Sequence, residues 1–395
     1  MDWGGRLSGR VQKMKPSALR ELLKVTARPG MISFAGGMPA AELFPLERVE
    51  AGVKAVLKNL GGRALQYGET EGVPELRDWI ARQCAKGKLQ LTRENVLVTT
   101  GAQQALDLVG RVFLDEGDAV VVENPTYMSA LLAWQPHGVH FLPMPIDERG
   151  IELDHAPELF VRRPKMAYFI PNFQNPTGLS LSLEQRKQLV ELARQSGTPL
   201  VEDDPYSELR YEGEPVAALL ELDQPPDDGG RVIHLGTFSK TLAPGFRIGW
   251  IVGPRVVIER LGRAKQAMDL HTSTFNQYLA LELVNSGYRE EMIPKFRQAY
   301  CERRNAMLDS MEKYFPAEAR WTKPDGGMFI FATLAGEVSA ADLLRRAIEQ
   351  NVAFVPGNEF FVDGAGKNTM RLNFTRTAAA QITEGIRRLA GLMGS

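Results

Sequence analysis

Short runs of β-branched residues alternate with longer segments of helical period from about residue 95 onward, and this alternation is the strongest constraint on the fold. It is typical of parallel strands joined by crossover helices. Helices are predicted over Ala102–Phe113 and over residues 183–194, the second with Ser182 as N-cap and Gln185 three residues later. The sequence therefore predicts an α/β unit around a mostly parallel sheet. The predicted strands cover residues 96–99, 119–122, 167–170, 199–202, 232–235 and 248–252.

The pattern of predicted elements changes after about residue 290. A long charged helix is followed by a Pro-Asp-Gly-Gly turn at residues 324–327, and then by strands and helices in mixed order. This change predicts a large α/β domain over residues 45–290 and a smaller α+β domain over residues 291–395. A helix is predicted over residues 16–25, where three leucines form an apolar stripe. We expect residues 1–44 to form an N-terminal arm and part of the smaller domain.

The charge and the cysteine content argue against several classes of protein. Lys and Arg total 47 and Asp and Glu total 48, so no net field favours nucleic acid or an anionic membrane. No stretch approaches the roughly 18 apolar residues that cross a bilayer, and the N-terminus lacks the apolar core of a secretory signal. Cys84 and Cys301 form no Cys-x-x-Cys pair, and the five histidines show no ligand spacing. We therefore expect a soluble, cytoplasmic protein without a metal site.

A cluster of polar residues follows the strand predicted over residues 232–235. Thr237 and Ser239 can donate hydrogen bonds to phosphate oxygens, and Arg247 can bind the same oxygens with a charged fork. Lys240, between them, can condense with a carbonyl group. The combination suits a ligand that carries both a phosphate and an aldehyde. The alternative is a polar turn with a solvated lysine, which the Ser-Lys pair by itself would favour.

Two more features that suit ligand binding follow strands earlier in the chain. Gly101 ends one strand, and Ala102 and Gln103 begin a helix whose free N–H groups and positive dipole end form an anion site. Many such turns bind nothing, so this feature gains meaning only beside a second phosphate-type cluster. Tyr127 follows the next strand, where its ring can lie against a planar ligand or pack as an ordinary rim aromatic.

Amide and carboxylate side chains follow the next two predicted strands. Asn175 lies in the proline-flanked loop after residues 167–170, and Asp203 and Tyr206 follow residues 199–202. Taken singly, these segments are equally compatible with a turn or a helix cap. All five features nevertheless lie at the carboxyl ends of successive strands, where open α/β sheets bind their ligands. The sequence therefore predicts one binding site at this edge of the sheet.

The order and types of these residues resemble the class I and II aminotransferases of pyridoxal-phosphate fold type I, over nearly the whole chain. Within them the chain is most similar to the group that contains bacterial 2-aminoadipate aminotransferase and mammalian kynurenine/aminoadipate aminotransferase. The likeness to that group runs through residues 17–23, 32–39, 173–178 and 352–357. The resemblance implies a large domain with a mostly parallel seven-stranded sheet between helices, plus a smaller α+β domain.

The resemblance also implies pyridoxal 5'-phosphate as the cofactor, with Lys240 forming the Schiff base and then moving the proton. Asp203 would face the pyridine nitrogen, because a nearby carboxylate favours the protonated ring, which is the better electron sink. Ala102 departs from the family pattern, since relatives often carry serine there. The other implied cofactor-binding residues are Gly101, Ala102, Gln103, Thr237, Ser239 and Arg247 around the phosphate, Tyr127 on the ring face, Asn175 and Tyr206 at the phenolic oxygen, and Tyr67 from a partner subunit.

The substrate contacts are implied by the resemblance as well. Arg371 matches the arginine that binds the substrate α-carboxylate, and Gly37 and Asn175 lie at further substrate positions. Arg20 matches the position that meets a side-chain carboxylate in the 2-aminoadipate group, although a solvated helix arginine is the plain alternative. We expect a homodimer with shared active sites. Its expected reaction moves an amino group between 2-aminoadipate, glutamate, or an aromatic or branched-chain amino acid and a 2-oxo acid such as 2-oxoglutarate.

Two alternatives to transamination stay open. The same cofactor supports β-elimination on sulfur amino acids, and likeness of fold does not fix the reaction. A related domain also occurs fused to a DNA-binding module as a transcriptional regulator. Such a regulator would need a helix-turn-helix segment before the aminotransferase part, which here begins within the first 20 residues, and the balanced charge also argues against it.

Overall fold

A computed structural model describes residues 3–12, 14, 22, 28, 30–87, 89–147, 150–336 and 338–393 of the chain. None of the described helices is long and apolar enough to span a bilayer. The β-strands within these residues are, in chain order, β1 (Ile32–Ser33), β2 (Val96–Thr99), β3 (Ala119–Asn124), β4 (His140–Asp147), β5 (Gly150–Ile151), β6 (Met166–Phe169), β7 (Leu200–Asp203), β8 (Val232–Thr237), β9 (Gly249–Val252), β10 (Arg320–Trp321), β11 (Phe329–Thr333), β12 (Val352–Ala353), β13 (Val355–Pro356) and β14 (Thr369–Asn373).

The α-helices of the described residues pack on these strands and on one another. In chain order they are α1 (Gly9–Gln12), α2 (Leu46–Leu60), α3 (Gly62–Leu65), α4 (Pro74–Cys84), α5 (Ala102–Phe113), α6 (Met128–Trp134), α7 (Ala156–Val161), α8 (Leu183–Ser196), α9 (Leu219–Leu222), α10 (Arg255–Asp269), α11 (Thr274–Asn285), α12 (Tyr288–Tyr314), α13 (Ala340–Glu349) and α14 (Ala379–Gly391). The helices predicted over residues 102–113 and 183–194 are present as α5 and α8, and the Ser182–Gln185 capping box begins α8.

The large sheet has eight strands among the described residues, in the order β2-β9-β8-β7-β6-β3-β4-β5. Strands β8, β7, β6, β3 and β4 run parallel to their neighbours in this series. Strand β9 is antiparallel to both β2 and β8, and β5 is antiparallel to β4. The predicted α/β fold with a mostly parallel sheet is therefore confirmed. The implied number of seven strands is exceeded only by the two-residue strand β5 at the sheet edge.

The six predicted strands are all present, with ends that differ by at most two residues from the prediction. Asp203 is the last residue of β7 rather than the first residue after it. Strand β4 was not predicted, and it contains Pro143 and Pro145, a residue type that is uncommon inside strands. In the structure the carbonyl of Pro145 accepts a 3.0 Å hydrogen bond from the N–H of Glu152, on the β5 side. The absent N–H of Pro145 therefore faces the short edge strand, where almost no ladder is lost.

A second sheet, of strands β10-β11-β14-β13, is antiparallel throughout the described residues. Arg371 lies in the middle of β14 and is paired with Phe331 of β11 and Val355 of β13. Strand β1 pairs in parallel with β12, so a segment near the N-terminus joins the C-terminal part of the chain. This pairing supports the proposed grouping of residues 1–44 with residues 291–395.

The predicted helix over residues 16–25 falls on positions of which only Leu22 is described. Leu22 is buried in a cluster that includes Ala35, Phe331 and Val355. The apolar side chain therefore packs on the second sheet, in line with the expected contact between the arm and the smaller domain.

Arg186 of α8 is a fully buried arginine that holds the loop after β6 in place. Its guanidinium donates hydrogen bonds of 2.8 Å to the carbonyl of Pro171 and of 2.8 Å to Oδ1 of Asn172. Further bonds reach the carbonyls of Leu181 at 3.1 Å and Ala217 at 3.0 Å. Since this loop continues into Asn175, Arg186 acts as an internal brace for one wall of the cavity described below.

Replacing Arg186 with Leu should lower the free energy of unfolding by at least about 3 kcal/mol, because several buried carbonyl oxygens would lose a charged donor. Urea denaturation followed by circular dichroism measures the change. The matched control is Lys187→Leu, an exposed neighbour on the same helix, which should change stability by less than about 0.5 kcal/mol. Equal stability of the two variants would show that Arg186 does not brace the loop.

Candidate active site

A cavity of about 290 Å³ lies at the carboxyl ends of the parallel strands, where the second sheet meets the first. Most residues that the sequence singled out come together around it. Ile170, Pro205, Pro244 and Phe329 complete the lining and were not predicted. The predicted residues in the lining are Gly37, Ala102, Gln103, Tyr127, Asn175, Asp203, Tyr206, Thr237, Ser239, Lys240, Arg247 and Arg371.

Lys240 follows β8 and points its amine into the cavity. Nζ donates a 2.8 Å hydrogen bond to the carbonyl oxygen of Gly37. Removal from water, together with the positive charges of Arg371 and Arg247, lowers the pKa of Lys240 to about 8, against the opposing effect of Asp203. A much larger fraction of this amine is therefore neutral near pH 7 than in an ordinary lysine, and only the neutral amine is a nucleophile or a base.

Asp203 presents a buried carboxylate at the end of β7. Oδ2 accepts a 2.8 Å hydrogen bond from the hydroxyl of Tyr168, whereas Oδ1 has no partner among the described residues. Burial raises the pKa of Asp203 to about 6, although the hydrogen bond from Tyr168 opposes this shift. An unpaired, buried acceptor is costly unless a ligand supplies a donor. Oδ1 therefore fits a protonated ring nitrogen.

Arg371 enters the cavity from β14 and is almost fully buried. Its guanidinium donates hydrogen bonds of 2.8 Å to Oδ1 of Asn175 and of 2.8 Å to the carbonyl of Ala35. Cζ lies 4.3 Å from the ring centre of Phe329 and 5.0 Å from that of Phe360. Nε is buried without a partner among the described residues. Burial lowers the pKa of Arg371 to about 10, yet the group stays charged and suits a carboxylate ligand.

Asn175 and Tyr206 form the polar wall beside Arg371. Both side chains are buried and line the cavity. Burial raises the pKa of the Tyr206 phenol, with the neighbouring phenol of Tyr127 acting in the same direction. The ring of Tyr206 also meets Phe329 edge-on, with centroids 6.0 Å apart. The phenol therefore stays protonated and is available to donate a hydrogen bond to a ligand oxygen.

The turn between β2 and α5 forms a narrow anion site. Gly101 adopts φ +80° as the N-cap of α5, and the first N–H groups of a helix have no partner within the helix. A Cβ atom on Gly101 would lie 2.5 Å from Nη2 of Arg247, and one on Gly249 would lie 2.8 Å from the backbone nitrogen of Ala102. Both positions therefore require glycine, because the arginine and strand β9 press directly on this turn.

The hydroxyls of Thr237 and Ser239 face the same turn from the end of β8. Thr237 Oγ1 and Ser239 Oγ lie 3.0 Å apart, and Thr237 Oγ1 also accepts a hydrogen bond from the N–H of Ser239 at 3.1 Å. Arg247 adopts φ +53° and donates 3.3 Å and 3.4 Å hydrogen bonds to the carbonyls of Pro244 and Thr100. These groups and the α5 N-terminus match the chemistry of a phosphate monoester.

Two of the predicted residues do not line the cavity, and a third is not described. Gly101 adjoins the lining residue Ala102 and shapes the turn. Tyr67 is 78% exposed, and its ring meets His271 edge-on at 5.7 Å. Arg20 lies outside the described residues. The proposed roles of Tyr67 and Arg20 therefore remain predictions.

Tyr168 and Phe329 are the main contributors that the sequence analysis missed. Tyr168 lies in a predicted strand, and its buried hydroxyl is a signal that was available, since a buried hydroxyl usually has a partner. Phe329 carried no such signal, because its place beside Arg371 depends on the antiparallel pairing of β11 with β14, two strands that are distant along the chain. Together with the unpaired Oδ1 of Asp203 and the anion site at Gly101, the lining fits pyridoxal 5'-phosphate.

Comparison with known proteins agrees with this geometry. The family model for aminotransferase class I and II matches residues 38–389. The aromatic-amino-acid aminotransferase 1 of Thermococcus litoralis is 44% identical over 99% of this chain and 94% of its own length. The 2-aminoadipate transaminase of Thermus thermophilus is 45% identical over 98% of this chain and 95% of its own length.

A solved structure is similar over the whole fold. The alpha-aminoadipate aminotransferase of Thermus thermophilus, complexed with N-(5'-phosphopyridoxyl)-L-leucine, superposes with a TM-score of 0.93 and 42% identity, over 100% of this chain and 98% of that one. The cofactor class and the fold type that the sequence implied are therefore confirmed. Because the family match extends over most of its length, the chain belongs to the class I and II aminotransferases, which are pyridoxal-phosphate-dependent transaminases of fold type I.

Proposed function

We propose that this aminotransferase moves an amino group between L-2-aminoadipate or L-glutamate and a 2-oxo acid such as 2-oxoglutarate, and that it also accepts aromatic or branched-chain amino acids. The proposal is carried by one observation: the Lys240 amine and the Arg371 guanidinium share one cavity. The first group can move a proton at Cα, and the second can hold the α-carboxylate beside it. The names of the two relatives, one acting on aromatic amino acids and one on 2-aminoadipate, support the range of donors.

Arg371 is the proposed contact for the substrate α-carboxylate. Asn175 and the Ala35 carbonyl fix two of its nitrogens at 2.8 Å, so the planar group is already oriented before a substrate arrives. A guanidinium of fixed orientation can bind a carboxylate through two parallel hydrogen bonds. Holding the carboxylate in this way fixes the direction of the Cα–H bond, and such orientation is a large part of catalysis.

Lys240 is the proposed general base and acid at Cα, and the covalent attachment point of the cofactor. Once bound, pyridoxal phosphate supplies an electron sink for the negative charge that develops at Cα. Asp203 would hold the proton on the ring nitrogen, with Tyr206 and Asn175 at the phenolic oxygen and Tyr127 on the ring face. Gly101, Ala102, Gln103, Thr237, Ser239 and Arg247 would bind the phosphate.

We also propose a cytoplasmic homodimer in which Tyr67 reaches the phosphate of the partner subunit. Tyr67 is 78% exposed in the single chain, so its ring is accessible to a partner subunit, as this contact requires. Both cysteines, Cys84 and Cys301, are free thiols, as expected in a reducing compartment.

Replacing Lys240 with Ala should lower the turnover number by at least about 10³-fold, because both the nucleophile and the proton carrier at Cα are lost. Glutamate formation from an amino donor and 2-oxoglutarate measures turnover. Lys58→Ala, which changes an exposed lysine, is the control and should keep full activity. A Lys240→Ala enzyme that still held the cofactor in a borohydride-reducible bond would contradict the assignment.

The reactivity of Lys240 in the cofactor-free enzyme should rise with pH through about 8 and then level off, since the neutral amine alone reacts and the pKa is lowered to about 8. Trace acetylation with acetic anhydride, quantified by mass spectrometry against a lysine peptide added as reference, measures this profile. The reference amine should continue to gain reactivity up to about pH 10. Arg371→Leu should move the Lys240 midpoint upward, because a like charge is removed; a midpoint near 10 in the unmodified enzyme would refute the lowered pKa.

Replacing Arg20 with Ala should reduce kcat/KM for 2-aminoadipate and glutamate about tenfold or more relative to leucine, because a charge-assisted contact to the side-chain carboxylate would be lost. A panel of donors against 2-oxoglutarate measures the ratio. Arg10→Ala, an exposed arginine of α1, is the matched control. An equal loss for all donors would show that Arg20 does not read the side chain, and release of ammonia and pyruvate from cystathionine would favour β-elimination instead.

A further inference from the structure

Tyr168 is a fully buried residue of β6 that has no role in the function proposed above. Its hydroxyl donates a 2.8 Å hydrogen bond to Oδ2 of Asp203 on the neighbouring parallel strand β7. The other oxygen of the same carboxylate, Oδ1, is buried and has no partner among the described residues. The two oxygens of Asp203 are therefore in different environments, one engaged by the protein and one open to a ligand.

We propose that Tyr168 is a positioning residue, which engages Oδ2 of Asp203 and so directs Oδ1 at the pyridine nitrogen of the bound cofactor. The inference rests on the proposed role of Asp203 at that nitrogen. The two oxygens of an aspartate exchange places by rotation about the last side-chain bond, and this torsion has a broad energy well. A short hydrogen bond to one oxygen removes that freedom and fixes the plane of the carboxylate.

The ring of Tyr168 is itself held in one orientation. Trp134 meets it edge-on, with ring centroids 5.2 Å apart and planes at 86°. Trp134 is in turn fixed, because its Nε1 donates a 2.9 Å hydrogen bond to the carbonyl of Leu106 in α5. Gly110 of α5 leaves room for this contact, since a Cβ atom there would lie 2.6 Å from the indole. Helix α5, whose N-terminus forms the anion site, therefore also supports Tyr168, the residue that orients Asp203.

The hydrogen bond also favours the charged form of Asp203. Burial raises the pKa of Asp203, and the negative charge of Asp204 acts in the same direction. Tyr168 opposes the shift through its hydrogen bond, and the positive charges of His234 and Lys240 oppose it through space. Loss of the Tyr168 hydroxyl would leave a carboxyl group that is both freer to rotate and easier to protonate. Each change weakens a contact with a protonated ring nitrogen.

The test compares two ligands that differ at one atom. Cofactor-free enzyme is titrated with pyridoxal 5'-phosphate and with its 1-deaza analogue, in which C–H replaces the ring nitrogen. For Tyr168→Phe we expect about a tenfold loss of affinity for pyridoxal phosphate, the loss of roughly one charge-assisted hydrogen bond, and less than a twofold change for the analogue. Tyr300→Phe, another fully buried phenol that bonds the N–H of Ala40, should change neither affinity.

Two further measurements separate positioning from packing. In the loaded Tyr168→Phe enzyme, the 15N chemical shift of labelled cofactor should move toward that of an unprotonated ring, which a purely structural role would not cause. Trp134→Phe keeps the Tyr168 hydroxyl but loosens its support, so it should show a smaller loss in the same direction, about two- to threefold.

The outcomes distinguish this inference from the proposed role of Asp203. If Tyr168→Phe weakens both ligands equally, or weakens neither, Tyr168 is not a positioning residue. If Asp203→Asn also fails to discriminate between the two ligands, the role of Asp203 at the ring nitrogen is wrong. Discrimination by Asp203→Asn without discrimination by Tyr168→Phe overturns only the inference about Tyr168.

Discussion

Two positively charged groups, the Lys240 amine and the Arg371 guanidinium, are held in one cavity, and the surrounding structure partly compensates for their charges. Backbone carbonyls supply most of the compensation, since Gly37 accepts from Lys240 and Ala35 accepts from Arg371. Both carbonyls belong to one short segment that follows β1. The pairing of β1 with β12 therefore fixes the acceptors of both cations at once, and the reactive amine depends on a strand pair of only two residues.

The charged and polar groups of the site are only partly paired within the protein, and this incomplete pairing determines the chemistry of the site. Lys240 has only one hydrogen-bond acceptor among the described residues, and it lies near the guanidinium groups of Arg371 and Arg247. Burial and these two positive charges lower the pKa of its amine. Arg371 rests between two aromatic rings and keeps Nε unpaired within the same part of the chain, and Asp203 likewise keeps one oxygen unpaired. Unpaired buried groups lower stability, and proteins retain them where a ligand completes them. The cofactor and the substrate are therefore part of the electrostatic balance of the fold.

The sequence predicted the site where its residues are close along the chain, and was less informative where distant segments meet. Thr237, Ser239, Lys240 and Arg247 lie within one turn and follow a strand with a plain β-branched pattern. Arg371 and Asn175 are in contact across 196 positions, so only the resemblance to a family brought them together. Tyr168 was not singled out, because a tyrosine in a buried strand has the pattern of a core residue. Strand β4 was not predicted, and its two prolines fit a strand only because they face an edge that is almost unpaired.

The contact of strand β9 with the turn at Gly101 has a consequence for how such an enzyme can diverge. A Cβ atom on Gly249 would meet the backbone of Gly101 and Ala102, so on this side of the phosphate site the two main chains are in direct contact. The position of β9 against the turn is therefore set by the backbone and not by a side chain. The face of the cavity beside Arg371 is instead made of side chains from two separate sheets. Side-chain substitutions in that face can therefore change the preference for an amino acid during evolution, whereas the approach of β9 to Gly101 is fixed by the course of the main chain.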